Sequence, residues 1–266
     1  TGGKVIASFA KRREMIRSGV EAKAKEMGGR AILSEALLEE VTALVEWPVP
    51  VAGRFEERFL ELPREVLIST LQDHQRYFAV EDATGRLLTA FITVSNIESR
   101  EPAQVRTGNE RVVRPRLSDA AFFWQQDRRE PLAAHLAGLD AVSFQAKLGS
   151  LGAKVKRIES ISETISARLN WNVLQAQRSA ALAKCDLLTA MVGEFPELQG
   201  VMGGLYLERE GEPAATARAV YWHYHPIAIG ADDAPPQEDV GDPAVFGAVS
   251  LADKLDTLAG YFSLGQ

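Results

Sequence analysis

The sequence contains a single cysteine, Cys185, in 266 residues. One thiol cannot form an internal disulfide and supplies at most one ligand to a zinc site. A disulfide-stapled secreted fold and a cysteine zinc cage are therefore both excluded, which agrees with a reducing compartment.

Long apolar runs are also missing from the sequence. No stretch approaches the roughly 20 apolar residues that a transmembrane helix needs. The first residues, 1–4, include neither an initiating methionine nor the apolar stretch of a signal peptide. We therefore expect a cytoplasmic protein that does not contact a membrane, and we expect the chain to be part of something longer.

An excess of positive charge is the third absence. Lysine and arginine total 30 against 36 aspartates and glutamates, and the formal net charge is -6. Such a balance gives no overall attraction to nucleic acid, so DNA is not an expected partner and any RNA contact must use a local patch. The 46% hydrophobic content is typical of a soluble globular chain, and the length allows two domains.

The first half of the sequence has mixed α and β patterns. The expected elements are helices at residues 8–27, 33–44 and 63–71, and strands at 49–60, 76–81 and 86–95. The last two strands flank a turn at Gly85, which indicates a hairpin. After Pro102 we expect a loop that leads to Ser118 or Asp119, either of which can cap a helix carrying Trp124.

From about residue 144 the pattern is that of helix alone. An unbroken stripe with spacings of three and four is formed by Leu148, Leu151, Val155, Ile158, Ile161, Ile165 and Leu169. We expect loops at 193–204 and 230–242 and a last helix from about Pro243. The prediction is an α+β chain with a mixed domain at 1–143 and an all-helical domain at 144–266.

Two aspartates in the helical half, Asp186 and Asp253, lie among apolar neighbours. A metal site of the His-Asp type needs a first histidine, a contiguous His-Asp pair and a later Asp. Cys185 stands where the histidine of that pair would be, and one thiol beside carboxylates is a poor cage for magnesium or manganese. The interpretation favoured is structural: both aspartates pair with Lys184, Lys254 or a backbone donor.

A second candidate site is rich in arginine. Between Arg106 and Arg129 six arginines face three acidic residues. Arginine suits phosphate, but a solvated surface of ion pairs explains the same pattern. The adjacent aromatic residues 122–124 can stack on bases or anchor a helix in a core, and core packing is favoured.

Collinear sequence blocks span nearly the whole chain. They are LVEWPV at 44–49, DHQRYF at 73–78, SNIES at 95–99, GNERVVRPRLSDA at 108–120, KCDLLT at 184–189, EFPELQGVMG at 194–203 and ADKLDTLAG at 252–260. In this order they resemble consecutive landmarks of the β subunit of bacterial glycyl-tRNA synthetase.

The resemblance implies an α2β2 ligase that attaches glycine to tRNA(Gly) using ATP. The α subunit holds the active site with ATP and magnesium, and the β subunit recognises tRNA. Residues 1–143 would be similar to the B3/B4 module of phenylalanyl-tRNA synthetase, and 144–266 to the His-Asp phosphohydrolases, with degenerate metal-site positions at Cys185, Asp186 and Asp253. The anticodon-binding domain would lie outside this stretch, which carries no catalytic residue, cofactor or metal.

The remaining expectation concerns RNA contact. Phosphates of the tRNA acceptor arm would be held by Arg111, Arg114, Arg116, Lys147, Lys154 and Arg157. Two alternatives stay open: an active metal-dependent phosphohydrolase, and a purely architectural module. The resemblance is weakest at 226–248, and no role is assigned to that segment.

Overall fold

A computed structural model describes residues 4–228 and 234–265. The chain divides into two compact units, Thr1–Phe122 and Phe123–Gln266. It mixes helices with a small antiparallel sheet, which confirms the expected mixture of α and β structure. Within the described ranges, no helix has both the length and the apolar character needed to cross a membrane.

The first unit combines helices with a four-stranded sheet of order β1-β3-β4-β2. Its elements are α1 Phe9–Glu26, β1 Arg30–Ala31, α2 Glu35–Leu44, β2 Val49–Arg54, a 3-10 turn Glu57–Glu61, α3 Arg64–Gln72, β3 Phe78–Glu81 and β4 Leu87–Ser95. The expected hairpin is present, and Gly85 has the positive φ of +82° that its turn requires. The two-residue strand β1 was not expected.

The core of the first unit lies between the sheet and the first two helices. Ile16 and Val20 of α1 and Leu38 of α2 pack with Phe78 and Ile92 of the sheet, and all five are fully buried. Serine side chains at residues 8 and 34 accept hydrogen bonds from the first turns of α1 and α2. One face of the sheet therefore packs against the apolar faces of α1 and α2.

The loop expected after Pro102 is wrong, because α4 runs without interruption from Pro102 to Asp127. Pro115 lies inside this helix and removes one backbone donor. Spacings of four, three and four place Val113, Leu117, Ala120 and Trp124 on one buried stripe. Burial of that stripe outweighs the cost of the proline.

The second unit is almost entirely helical. Its helices are α5 Leu151–Leu169, α6 Val173–Leu182, α7 Ala190–Glu194, α8 Val201–Glu210, α9 Ala214–Trp222 and α10 Pro243–Ser263. Its 3-10 turns are Leu132–Ala141, Cys185–Leu188, Pro196–Leu198 and Gln237–Asp239. A short hairpin of β5 Ser143–Gln145 and β6 Gly149–Ser150 was missed by the expectation of helix alone.

Some element boundaries expected from sequence differ from the structure; the strand expected at 49–60, for example, ends at Arg54. The loop expected at 193–204 is wrong, because α8 starts at Val201 directly after Gly200, whose φ is +81°. The units divide at Phe122 and Phe123, whereas the sequence pattern changes near residue 143. Part of the loop expected at 230–242 lies outside the described residues.

Candidate functional site

A cluster of buried ionisable side chains lies inside the helical unit. It is called the charge cluster here, and its members are Lys154, Lys184, Asp186, His223, Asp253 and Asp256. Lys154 comes from α5, Lys184 and Asp186 from the turn after α6, His223 from the end of α9 and the other two from α10. Asp253 and Asp256 are three residues apart on one helix and therefore share a face.

Lys184 places an ammonium group at the centre of the cluster. Its Nζ lies 2.7 Å from Asp253 Oδ2, 2.9 Å from His223 Nε2 and 3.8 Å from the ring centroid of Tyr224. The Nδ1 of His223 lies 2.6 Å from the carbonyl oxygen of Val220. Because a carbonyl oxygen can only accept, Nδ1 carries the ring proton and donates a hydrogen bond to it. Nε2 is therefore left to accept a hydrogen bond from the lysine.

Lys154 provides a second buried ammonium group. Its Nζ lies 2.8 Å from Asp253 Oδ1 and 3.1 Å from Asp256 Oδ2, and it donates to Thr257 Oγ1 at 2.7 Å. The guanidinium of Arg157 binds the same Asp256 carboxylate through both Nε and an Nη atom. Both α10 carboxylates are thus paired with protein cations.

Asp186 binds backbone donors through only one of its carboxylate oxygens, and the other, Oδ1, is buried without a hydrogen-bond partner among the described residues. Its Oδ2 accepts hydrogen bonds from the backbone N–H groups of Gly200 at 2.6 Å and Gly203 at 3.0 Å. These donors belong to the first turn of α8, which has no side-chain cap from its own Gly200. A helix N-terminus favours negative charge, so the carboxylate occupies a position suited to an anion.

Burial is the largest cause of the pKa shifts of three members of the cluster, Asp186, His223 and Lys184, and it lowers the pKa of Lys184 to about 8. It raises the pKa of Asp186 to about 6, against the opposing effect of the N–H groups of Gly200 and Gly203. Burial, together with the nearby ammonium of Lys184, lowers the pKa of His223 to about 3. At neutral pH Asp186 is thus mainly ionised and His223 is neutral.

The pKa values of Asp253 and Cys185 are shifted by nearby charges as well as by burial. Burial opposes ionisation of Asp253, but the ammonium groups of Lys184 and Lys154 hold its pKa well below the ordinary value. Burial, together with the charge of Asp186, raises the pKa of the Cys185 thiol to about 12. Cys185 is therefore a protonated thiol at neutral pH, which makes it a poor metal ligand.

The contacts show how the two sequence-selected aspartates are accommodated. Asp253 is paired with cations and Asp186 with backbone amides, the two kinds of partner that the structural interpretation expected. Lys254, the other expected partner, donates to the backbone carbonyl oxygens of residues 223–225 at the end of α9. Within residues 4–228 and 234–265, no three His, Cys, Asp or Glu side chains converge as a metal-binding group.

A cleft of about 660 Å³ opens beside the cluster within the helical unit. Tyr221, Tyr224 and Leu258 line it, together with Asp253 and Lys254. The two ionised groups are already bound to protein atoms. Asp253 and Lys254 therefore face the cleft while they are engaged in contacts between helices, and Glu197 lines the same cleft.

The arginines expected to contact RNA lie on α4 rather than on a loop. Arg111, Arg114 and Arg116 are all exposed. At 3.6 residues per turn, Arg111 and Arg114 are separated by roughly 60° around the helix, whereas Arg116 is roughly 160° from Arg114. Arg114 also forms an ion pair with Glu56 at 2.6 Å. A flat phosphate-bearing surface can therefore meet the first two together, but not all three.

The three residues expected to contact RNA in the helical unit differ in exposure. Lys147 is exposed beside the short hairpin. Arg157 is 40% exposed while it holds Asp256. Lys154 is only 3% exposed and is paired with two carboxylates. Its inclusion among phosphate-binding residues is corrected, because a buried ammonium that neutralises two aspartates cannot reach an external phosphate.

The aromatic run at the end of α4 is divided between solvent and core. Phe122 is 57% exposed, whereas Trp124 is 8% exposed and stacks on Tyr206 with ring centroids 5.2 Å apart. Asp127, which follows in the same helix, accepts hydrogen bonds from the N–H groups of Ala190 and Met191 at the start of α7. Trp124 and Asp127 therefore connect the last residues of α4 to Tyr206 and to the start of α7.

The family profile described as glycyl-tRNA synthetase beta subunit matches residues 1–266. The chain belongs to this family. Similar proteins include the glycine–tRNA ligase beta subunits of Stutzerimonas stutzeri, 50% identical over 265 residues, and of Azotobacter vinelandii, 51% identical over 262 residues. That of Pseudomonas aeruginosa is 48% identical over 265 residues.

The matches cover 98–100% of this beta-subunit chain but only 37–38% of each of these relatives. The chain thus spans less than two-fifths of the length of the proteins it resembles. Sequence reasoning on this chain missed Lys154 and His223 as members of the charge cluster. The signal for Lys154 was present, because it lies three residues after Leu151 and four before Ile158, on the buried stripe of α5.

Proposed function

We propose that this chain is a non-catalytic, tRNA-contacting part of the beta subunit of glycine–tRNA ligase, which attaches glycine to tRNA(Gly) using ATP. The observation that carries the proposal is the family match along all 266 residues. In this proposal the partners are an α subunit, in an α2β2 assembly that holds ATP and magnesium, and tRNA(Gly). The cytoplasm is the proposed location.

The charge cluster supports the non-catalytic part of the proposal. Hydrolysis assisted by a metal needs an open cation position and carboxylates that are free to coordinate it. Here Lys184 and Lys154 neutralise Asp253, and the first turn of α8 holds Asp186. We therefore propose that residues 144–266 are a degenerate His-Asp-type domain, and from the family resemblance we propose that residues 1–143 are a B3/B4-like domain.

The proposed RNA contacts are four of the six residues selected from sequence. Arg111 and Arg114 form one exposed pair on α4, and Lys147 and Arg157 form a second group in the helical unit. Their cationic groups suit phosphate oxygens, and such contacts position an RNA without reading its bases. The buried Lys154 and the divergent Arg116 are left out.

The test is the salt dependence of tRNA(Gly) binding to the complete ligase. The double variant Arg111→Gln and Arg114→Gln should bind less tightly than the parent. The slope of log affinity against log salt concentration should become shallower by about one to two units, since each lost phosphate contact removes roughly one unit. The single variant Arg116→Gln is the matched control and should retain the parental slope.

If the double variant keeps the parental slope of log affinity against log salt concentration, α4 is not part of the RNA-binding surface. An equal loss in Arg116→Gln would instead indicate general attraction to positive charge. Either result leaves the family assignment intact, because that assignment depends on the sequence match alone.

A further inference from the structure

The last helix, α10, packs apolar residues such as Val249 and Ala252 in the core, but it also buries its charged residues and leaves a further set of apolar residues exposed. Its ionised residues, Asp253, Lys254 and Asp256, face the interior of the helical unit and are bound there. Its exposed residues carry no charge; they are Pro243, Leu251, Leu255, Leu258, Ala259, Tyr261, Phe262 and Ser263. A surface helix normally carries its charged residues on the outward face.

Four of the exposed residues form a continuous row, called the α10 stripe here. Leu251, Leu255, Leu258 and Phe262 are separated by four, three and four residues, so they lie on one face of the helix. Their exposed fractions are 48%, 48%, 54% and 73%. Single exposed apolar side chains are ordinary, but a contiguous uncharged row marks an interaction surface.

The uncharged surface of the α10 stripe limits the classes of molecule that can bind it. RNA is disfavoured, because phosphate binding needs positive charge and the exposed face of α10 has none. A lipid surface is disfavoured as well, since helices that bind membranes carry lysine and arginine beside their apolar face. The partner that fits is an apolar protein surface.

We propose that the α10 stripe is covered by the part of the full-length beta-subunit polypeptide that lies outside these 266 residues. The relatives are more than twice as long as this chain, which covers 37–38% of them, so a large amount of polypeptide is available. This inference rests on family membership and does not depend on the proposed RNA contacts.

The size of the stripe favours a covalently connected partner over a separate chain. Stable interfaces between separate proteins bury about 800 Å² on each side, which is more than one row of four half-exposed side chains offers. A segment of the same polypeptide has a high effective concentration and needs less contact area to remain docked. A second copy of the chain would lack this advantage.

The test is site-specific photocrosslinking in the full-length beta subunit, alone and within the complete ligase. Phe262 is replaced by p-benzoylphenylalanine, which keeps an aromatic ring at the exposed end of the stripe. Leu258 provides a second position in case the first variant does not fold. After irradiation, mass spectrometry identifies the crosslinked peptide. Thr164, exposed on α5, carries the same probe as a control.

The expected result is a crosslink from the stripe to a beta-subunit segment outside these 266 residues, in the isolated subunit and in the ligase, with no such product from position 164. A crosslink to the α subunit, to a second beta subunit or to residues within the 266 would overturn the proposal. Absence of any crosslink at both stripe positions would overturn it too.

Discussion

At the scale of single residues, Lys184 decides how the charge cluster is balanced. It is 2% exposed and brings its ammonium to Asp253, to His223 and to the ring of Tyr224. Removing one partner of a buried ion pair is far more costly than the pair is worth, because the other charge remains desolvated. The lysine is therefore a structural cation, and its loss would leave the buried Asp253 with Lys154 as its remaining cationic partner.

We predict that Lys184→Met lowers the free energy of unfolding by about 3 kcal/mol, the lower end of the range for breaking a buried pair, because Lys154 still faces Asp253. Urea denaturation of the variant and the parent measures the difference. Lys156→Met is the matched control, since its side chain is 73% exposed and reaches Asp140 only at 4.0 Å. The control should change stability by less than about 0.5 kcal/mol.

A Lys184 variant as stable as the parent would mean that Asp253 does not depend on this cation. The kind of partner for each aspartate was predictable from sequence, because a buried carboxylate needs a cation or a donor. That Lys154, rather than another lysine, would be a partner of Asp253 was not predictable, because this contact depends on how α5 packs against α10. The burial of His223 was not predictable either, because this residue lies just beyond the end of α9 and is fully buried only through the packing of the helices.

At the scale of elements, glycine allows α8 and α9 to pack closely. A Cβ added at Gly204 would lie 2.5 Å from Tyr221 Cβ and 2.8 Å from the Ala217 backbone oxygen. Neither neighbour is the free end of a flexible side chain. The helices would have to separate, and the first turn of α8 that holds Asp186 would move with them.

We predict that Gly204→Ala destabilises the chain by about 1 to 3 kcal/mol, the usual cost of overpacking, although alanine favours helix. Gly108→Ala in α4 is the matched control. Nothing lies within 4 Å of a Cβ at Gly108, so the same substitution should stabilise the chain by about 0.5 to 1 kcal/mol. Thermal unfolding of the two variants should therefore shift in opposite directions.

A stabilising Gly204→Ala would contradict the close contact between α8 and α9.

The helices of the two units differ in how far local sequence patterns predict them. The apolar stripe of α5 was predictable from sequence, and its members Val155 and Ile158 are buried. The start of α8 was not predictable, because Gly203 and Gly204 are poor helix formers that are kept there by packing. The uninterrupted α4 was not predictable either, because Pro115 disfavours a helix interior and is kept there by burial of the stripe around it.

At the scale of the whole molecule, an acidic chain of net charge -6 leaves one apolar row exposed. Net charge of this size opposes association, whereas the α10 stripe promotes it. In the isolated 266-residue chain nothing outside these residues can cover the stripe. Weak self-association at high protein concentration is the expected balance of the two effects.

We predict that the sedimentation coefficient of the isolated chain increases with concentration, and that Leu255→Asp with Leu258→Asp abolishes the increase. The control variant, Leu44→Asp with Leu174→Asp, changes the charge equally at two scattered positions that are 63% and 79% exposed. It should behave as the parent does. If both double variants suppress association equally, added negative charge is the cause and the stripe is not.

The buried cations of the helical unit also determine what its stability is coupled to. A protein held together by a dissociable metal gains stability in proportion to the logarithm of the free metal concentration, so depletion of the metal weakens it by mass action. Lys184 and Lys154 are covalently part of the chain and cannot be diluted away. The stabilisation that Lys184 and Lys154 give to the buried carboxylates should therefore be unaffected by chelators.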